Sequence, residues 1–88
     1  MNNTNQLTSV KALRRIAIAY TTEQINQCLN DEISEQTNNC NLQGDSVEII
    51  NALSRAGVIR ELIDNGLSLP EATRELARRM RYLVKLKI

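Results

Sequence analysis

The sequence predicts an all-α protein folded as a compact bundle of about four helices. Apolar residues recur at helical spacing in four segments, and residues that cap helix N-termini precede these segments. The apolar side chains are nearly all Leu, Ile, Val and Ala, with no Phe or Trp, so small aliphatic side chains must fill the core. We predict one helical domain over residues 9–88, preceded by a poorly ordered N-terminus at residues 1–8.

The first helix is predicted over residues 9–20. Thr8 or Ser9 can cap it, because a hydroxyl oxygen there can accept a hydrogen bond from an unpaired N–H of the first turn. Five residues spaced at about 100° share its apolar face: Val10, Leu13, Ile16, Ala17 and Tyr20. The face is wide enough to pack against a core.

The second helix is predicted over residues 22–36 and is followed by a polar loop. Thr21 and Gln24 have the spacing of a capping box, in which each side chain accepts a hydrogen bond from the other residue's backbone N–H. The apolar stripe of this helix is narrow and contains Ile25, Leu29 and Ile33. Residues 37–45 are rich in turn formers and have no period, which predicts a surface loop.

The third helix is predicted over residues 46–65, with Asp45 or Ser46 as its cap. Its apolar positions lie on nearly opposite sides before and after Gly57. Either the helix breaks or kinks at Gly57, or one continuous helix buries a different face in each half, for instance between two protomers. The continuous form is slightly favoured, since a glycine inside a helix costs only about 1 kcal/mol.

The fourth helix is predicted over residues 69–85 and has the clearest start. Gly66 can adopt the left-handed conformation that ends the preceding helix. Ser68 and Glu71 form a second capping box, and Pro70 is tolerated in the first turn. The apolar stripe of this helix is Leu69, Ala72, Leu76, Met80 and Leu83, and an opposite stripe is basic.

Charge is segregated along the chain and marks two candidate binding surfaces. The net charge is +3 over residues 1–20, −6 over residues 21–50 and +4 over residues 71–88. This predicts that the acidic middle helix pairs with the basic ends, within one chain or across a dimer. The basic face of the last helix comprises Arg74, Arg78, Arg81 and Lys85. The acidic face of the second helix comprises Asp31, Glu32 and Glu35.

The stretch Ile59 to Arg79 resembles the first two helices of DNA-binding helix-turn-helix motifs. It has a short apolar helix, Gly66-Leu67-Ser68 as the turn, and Ala72 at an inward position of the second helix. The resemblance implies major-groove binding, with Arg74 and Arg78 near bases and Arg81 and Lys85 near phosphates. Leu62 and Glu75 depart from the motif, and the chain continues as helix where the trihelical version makes a second turn.

Catalysis finds little support in the residue types. The sequence contains no histidine, which removes the commonest general base and every Cys-His or Ser-His pair. It has no glycine-rich phosphate loop either. We therefore predict a protein that is not an enzyme and that has no cofactor, metal or small-molecule substrate.

The two cysteines and the expected cell compartment are linked. The N-terminus does not read as a signal peptide and no apolar run is long enough for a membrane span, which predicts a cytoplasmic protein. Cys28 and Cys40 are then expected to be reduced thiols, the first half-buried and the second exposed. Their spacing is not that of a metal pair, whereas a reversible disulfide that closes the loop is geometrically possible.

The resulting prediction is a small helical interaction or regulatory protein. It is expected to act by protein-protein binding as a homodimer, because the split apolar faces of residues 46–65 and the segregated charges are better satisfied by two chains. The alternative is a DNA-binding protein of helix-turn-helix type that uses the basic C-terminal helix.

Overall fold

The computed structural model describes residues 6–87, with side chains described for residues 7–81. Within these residues the chain is all-helical, as predicted. The elements are a short 3-10 helix at Gln6–Thr8 followed by α1 (Val10–Ala19), α2 (Thr22–Glu35), α3 (Ser46–Asp64) and α4 (Leu69–Lys87). Leu7 in the 3-10 helix, within the segment predicted to be poorly ordered, packs on the core. Residues 1–5 of the predicted N-terminal segment lie outside the described residues.

Three of the predicted helix starts are confirmed by their capping hydrogen bonds. The Ser9 hydroxyl accepts from the N–H three residues on at 3.1 Å. Thr21 and Gln24 make both bonds of their capping box, at 2.8 and 3.1 Å. Ser68 and Glu71 do the same at 2.9 and 3.2 Å. These local pairs fix where α1, α2 and α4 begin.

The end of α3 also follows the sequence. Gly66 has a φ of 109°, in the left-handed region that favours glycine. Its N–H donates to the carbonyl of Ile63 at 2.9 Å, and the N–H of Leu67 donates to the carbonyl of Leu62 at 3.1 Å. These two bonds form a Schellman motif, which stops the helix at Asp64 and turns the chain toward α4.

The central helix of the bundle is α3. It runs through Gly57 as one helix, and α1, α2, α4 and the 3-10 helix all pack against it. Its fully buried side chains come from both halves: Ile49, Ala52, Leu53, Ala56 and Ile59. Neighbours in the same chain therefore cover much of the apolar surface on which the homodimer prediction partly rested. The homodimer remains a prediction, and the split apolar faces of residues 46–65 support it less than the sequence suggested.

The second helix occupies a separate position. Among the described residues α2 packs on α3 and makes no comparable contact with α1 or α4. The two helices are antiparallel, because the Thr22 hydroxyl at the start of α2 donates to Asp64 at the end of α3, at 2.9 Å. At the opposite end, the Ser46 hydroxyl of α3 donates to Glu32 of α2. The acidic helix thus lies on one side of the bundle.

The state of the two cysteines differs from the prediction. Cys28 and Cys40 form a disulfide, and both are 3% exposed, so neither is the reduced, partly accessible thiol that was expected. The loop between α2 and α3 folds back onto α2 and carries Cys40 inward. The Tyr20 hydroxyl donates to the Cys40 carbonyl at 3.0 Å and fixes that position. Of the alternatives considered for these cysteines, the structure agrees with the disulfide that closes the loop.

Candidate interaction surfaces

The basic face of α4 is exposed where the structure describes it. Arg74, Arg78 and Arg81 all lie on the solvent side, opposite the buried residues of the helix. The side chain of Lys85, the fourth predicted member, lies outside the described residues, as does that of Leu83 in the apolar stripe. The predicted separation of apolar and basic sides is therefore present over residues 69–81.

Glu75 forms ion pairs with two of the arginines of α4. It accepts hydrogen bonds from Arg78 at 2.9 and 2.6 Å and from Arg79 at 2.8 Å. The hydrogen bonds from Arg78, and then those from Arg79, lower the pKa of Glu75 from 4.5 to about 2. Arg74 and Arg81 form no ion pair within the described residues, so among the side chains of residues 69–81 they are the basic ones that remain for a partner.

The lowered pKa of Glu75 predicts a specific loss of stability in acid. A carboxylate whose pKa falls on folding contributes stability that is complete above pH 4.5 and is lost as the pH falls through about 2. We expect the melting temperature of the native protein to fall more steeply than that of Glu75→Gln between pH 5 and pH 2. Parallel melting curves for the two proteins across this range would contradict the ion-pair assignment.

The first helix also carries exposed basic side chains. Helix α1 packs against α4 and carries Lys11 and Arg15, both exposed. Arg14 is half-buried, and its Nε is buried without a hydrogen-bond partner among the described residues. We call the exposed basic side chains of α1 and α4 that form no ion pair within the described residues the basic surface: Lys11, Arg15, Arg74 and Arg81. Lys11 and Arg15 were not among the predicted site residues, although the charge of +3 in residues 1–20 indicated basic side chains there.

The predicted acidic face keeps two of its three residues. Glu35 is exposed, and Asp31 is half-buried and accepts a hydrogen bond from Gln27 at 2.9 Å. The prediction was wrong for Glu32. Only 2% of its surface is exposed, so it cannot form part of a docking face. It lies on the inner side of α2 with Ile25 and Cys28. We call Asp31 and Glu35 the acidic surface.

Glu32 instead joins the loop to the start of α3. It accepts hydrogen bonds from the Asn38 side-chain amide at 2.9 Å and from the Ser46 hydroxyl. The predicted cap residue Asp45 is at the N-cap position but makes no side-chain capping bond. The Glu32 carboxylate lies against this helix N-terminus, where the helix dipole favours a negative charge. No local sequence pattern indicates this contact between α2 and α3.

Removing the Glu32 carboxylate is expected to destabilise the protein. Glu32→Ala leaves the part-buried Asn38 and Ser46 donors short of an acceptor, which costs about 1–3 kcal/mol. Glu35→Ala, three residues further on the same helix and exposed, is the matched control and should change stability by less than about 0.5 kcal/mol. Urea unfolding measures both. Equal effects of the two substitutions would show that Glu32 is not an anchor.

The acidic and basic surfaces do not neutralise each other within the chain. Every ion pair among the described residues lies within one helix: Arg60 with Asp64, Arg78 with Glu75 and Arg79 with Glu75. Among the described residues the backbone of α2 lies close to that of α3 and not to that of α1 or α4. No ion pair of the predicted kind therefore joins the acidic helix to the basic ends within residues 7–81, and the side chains of residues 82–88, with Lys85 and Lys87, lie outside the described residues. Pairing across two chains remains a prediction.

The cleft beside the loop between α2 and α3 is polar and open. The loop borders a cleft of about 490 Å³ lined mainly by amide and hydroxyl side chains. The described residues contain no group of three or more side chains that could hold a metal ion. No helix within residues 6–87 combines the length and apolar character needed to cross a membrane.

Comparisons with protein-family models, with curated proteins and with solved structures find no match for this chain.

Proposed function

We propose that this protein is a small non-enzymatic interaction protein that binds a protein partner through its charged surfaces and works as a homodimer. One observation carries the proposal. Within residues 7–81, no ion pair joins the acidic surface on α2 to the basic surface on α1 and α4, so neither surface is neutralised by the other. Surfaces of this kind select partners of complementary charge and accelerate their association.

The composition of α4 favours a protein partner. Glu71 and Glu75 alternate with the arginines along the helix, and Glu75 holds two of them in ion pairs. Such carboxylates would lie close to any phosphate that approached the helix, and like charges repel. A protein surface with acidic side chains and some basic ones can instead match both signs. The basic surface therefore fits an acidic but mixed protein face.

The test is binding of a fluorescently labelled peptide of mixed glutamate and lysine with a net negative charge, called the acidic peptide, followed by anisotropy at low salt. We expect binding by the native protein and loss of binding by Arg74→Gln/Arg81→Gln. The matched control is Asp31→Asn/Glu35→Gln, which changes net charge in the opposite direction and leaves the basic surface intact. If this control binds normally, the basic surface is responsible rather than overall charge. Absence of binding by the native protein would overturn the proposal.

A nucleic acid is the second candidate for the same surface. The observation that favours it is the contact between α1 and α4, which adds Lys11 and Arg15 to the basic side chains of the predicted recognition helix. Labelled duplex DNA should then bind at low salt, dissociate steeply as salt rises, and fail to bind Arg74→Gln/Arg81→Gln. Tighter binding of the duplex than of the acidic peptide would favour this candidate over the first.

The predicted cytoplasmic location must be tested against the disulfide. A cytoplasmic location conflicts with the Cys28–Cys40 bond, since disulfides persist mainly in oxidising environments. A free-thiol count on protein isolated from its own cells without reductant decides the question. Two reactive thiols after denaturation would support the cytoplasmic prediction, and none would place the folded protein in an oxidising compartment.

A further inference from the structure

We infer that the cleft beside the loop between α2 and α3 binds a ligand that carries an alkylammonium or guanidinium group. The cleft has a volume of about 490 Å³. Its side chains are amides, hydroxyls and the aliphatic Leu42 and Ile49, and the one charged residue among the described residues that line it is Glu32. The inference concerns this cleft rather than the charged surfaces, and so goes beyond the proposed function.

Glu32 brings a negative charge to this cleft without a positive side chain that balances it. The residue is 2% exposed, and none of the ion pairs within residues 7–81 includes it. The N-terminus of α3 carries the equivalent of about half an elementary charge, which offsets only part of a full negative charge. Because an unpaired buried charge is unfavourable, a cation in the cleft would stabilise the Glu32 carboxylate.

The Glu32 carboxylate also keeps the capacity to accept further hydrogen bonds. Its Oε1 accepts from the Asn38 amide at 2.9 Å, and its Oε2 accepts from the Ser46 hydroxyl. An ionised carboxylate has about four lone-pair sites, so about two remain for N–H donors of a ligand. Ammonium and guanidinium groups carry several N–H donors and no acceptor, which matches this site. The side-chain amides of the lining supply further acceptors.

The residues around the cleft carry charge of the same sign. All described lining residues belong to residues 21–50, a segment with no basic residue and with the acidic residues Glu23, Asp31, Glu32, Glu35, Asp45 and Glu48. Glu48 lies near the lining, since a Cβ placed on Gly44 would be 3.8 Å from its Oε1. A cleft surrounded by charge of one sign attracts ligands of the opposite sign. A cation therefore fits this cleft better than an anion or a neutral polar molecule.

The cleft is formed before any ligand binds. The disulfide between Cys28 and Cys40 attaches the loop to α2. The Asn38 side chain accepts hydrogen bonds from the N–H groups of Cys40 and Leu42, and it donates to the Leu42 carbonyl and to Glu32. Because the loop is already held by these contacts, a ligand does not have to order it, which lowers the entropic cost of binding.

The test is a titration of the full oxidised chain with putrescine, a diamine with a chain of four carbons, at constant ionic strength. NMR of the backbone amides follows the binding. We expect saturable binding with a Kd below about 10 mM. The chemical-shift changes should be concentrated in residues 36–46, which contain most of the lining. The uncharged diol of the same chain length should not bind, since it lacks the charge that Glu32 requires.

Glu32→Gln should weaken putrescine binding by about tenfold or more, because it removes the negative charge of the cleft. The new side chain keeps an oxygen that accepts from Asn38, and the Ser46 hydroxyl can turn to accept from the new amide. Glu35→Gln is the matched control, since it removes the same charge from an exposed position of the same helix outside the cleft. It should weaken binding by less than about twofold at physiological salt.

Four results would overturn the inference. They are the absence of saturable binding, binding of the diol as tightly as the diamine, equal effects of the two variants, and shift changes that spread over the acidic surface instead of residues 36–46. If circular dichroism shows that Glu32→Gln is unfolded, the shift changes of the native protein decide the question. The acidic peptide tests the basic surface, so its result is independent of this one.

A second ligand identifies the source of the bound group. Acetyl-lysine amide, with the acetyl group on its α-nitrogen, carries one ammonium on the same chain of four carbons. Tighter binding of this compound than of putrescine would assign the cleft to a lysine side chain of a partner protein. Tighter binding of putrescine would assign it to a free diamine.

Discussion

Replacing Cys28 and Cys40 by alanine is expected to lower the free energy of unfolding by about 3 kcal/mol. The disulfide closes a segment with a sequence separation of 12 and so restricts the unfolded chain. It also holds a loop with an unusual backbone, since Gln36 and Asn41 have φ values of 58° and 60°. Residues other than glycine are disfavoured there. Without the covalent bond, the loop relies on the side-chain contacts of Asn38 and Tyr20.

Urea unfolding of the native protein, with and without reductant, measures this effect. The reduced native protein and the double alanine variant should have similar midpoints, both below that of the oxidised protein. Reductant should have no effect on the alanine variant, which is the control for nonspecific effects of the reagent. If the oxidised and reduced proteins unfold at the same urea concentration, the disulfide contributes nothing to stability.

Leu76→Ala is expected to lower the free energy of unfolding by about 2–5 kcal/mol. Leu76 is buried, and only Ala72 joins it as a buried residue among the side chains of α4 that the structure describes. These two residues, together with the partly buried Leu69 and Met80, pack α4 against the rest of the core. Small domains have a total stability of about 5–15 kcal/mol, so a loss of this size is a large part of the margin.

The matched control for Leu76→Ala is Arg81→Ala, on the same helix but exposed. It should change stability by less than about 0.5 kcal/mol and should weaken binding of the acidic peptide. Thermal unfolding followed by circular dichroism measures both variants. A similar loss of stability in the two proteins would mean that α4 is not held by its apolar side.

Much of the fold could be predicted because its signals are local. The capping boxes at Thr21 and Ser68 and the glycine at position 66 each act within a few residues, and the structure contains all three. Each predicted helix agrees with the observed one to within two residues at either end. Local hydrogen bonds and turn preferences need no knowledge of the rest of the chain.

What the sequence could not predict depends on contacts between distant elements. Glu32 looked like the middle of an acidic face because its neighbours in the sequence are acidic. Its burial follows from the path of the loop, which brings Asn38 and Ser46 back to α2. Cys40 is buried for the same reason, although the polar residues around it predict exposure. Short-range patterns carry no information about such a return path.

The two charged surfaces were predicted in part. The sequence identified the exposed arginines of α4 and the residues Asp31 and Glu35, since helical spacing assigns them to one side of each helix. It could not determine which helices adjoin. The contact of α1 with α4, and the separation of α2 from both, depend on how three helices distribute around α3. Those two facts decide which charges act together.

The hydrogen bond from Tyr20 to the Cys40 carbonyl has a spectroscopic consequence. The sequence contains two tyrosines and no tryptophan or phenylalanine, so the near-ultraviolet signal of the protein comes from few groups. The hydroxyl of Tyr20 donates a hydrogen bond to the loop next to the disulfide. Tyrosine absorption and near-ultraviolet circular dichroism therefore follow the docking of this loop directly, without any label attached to the chain.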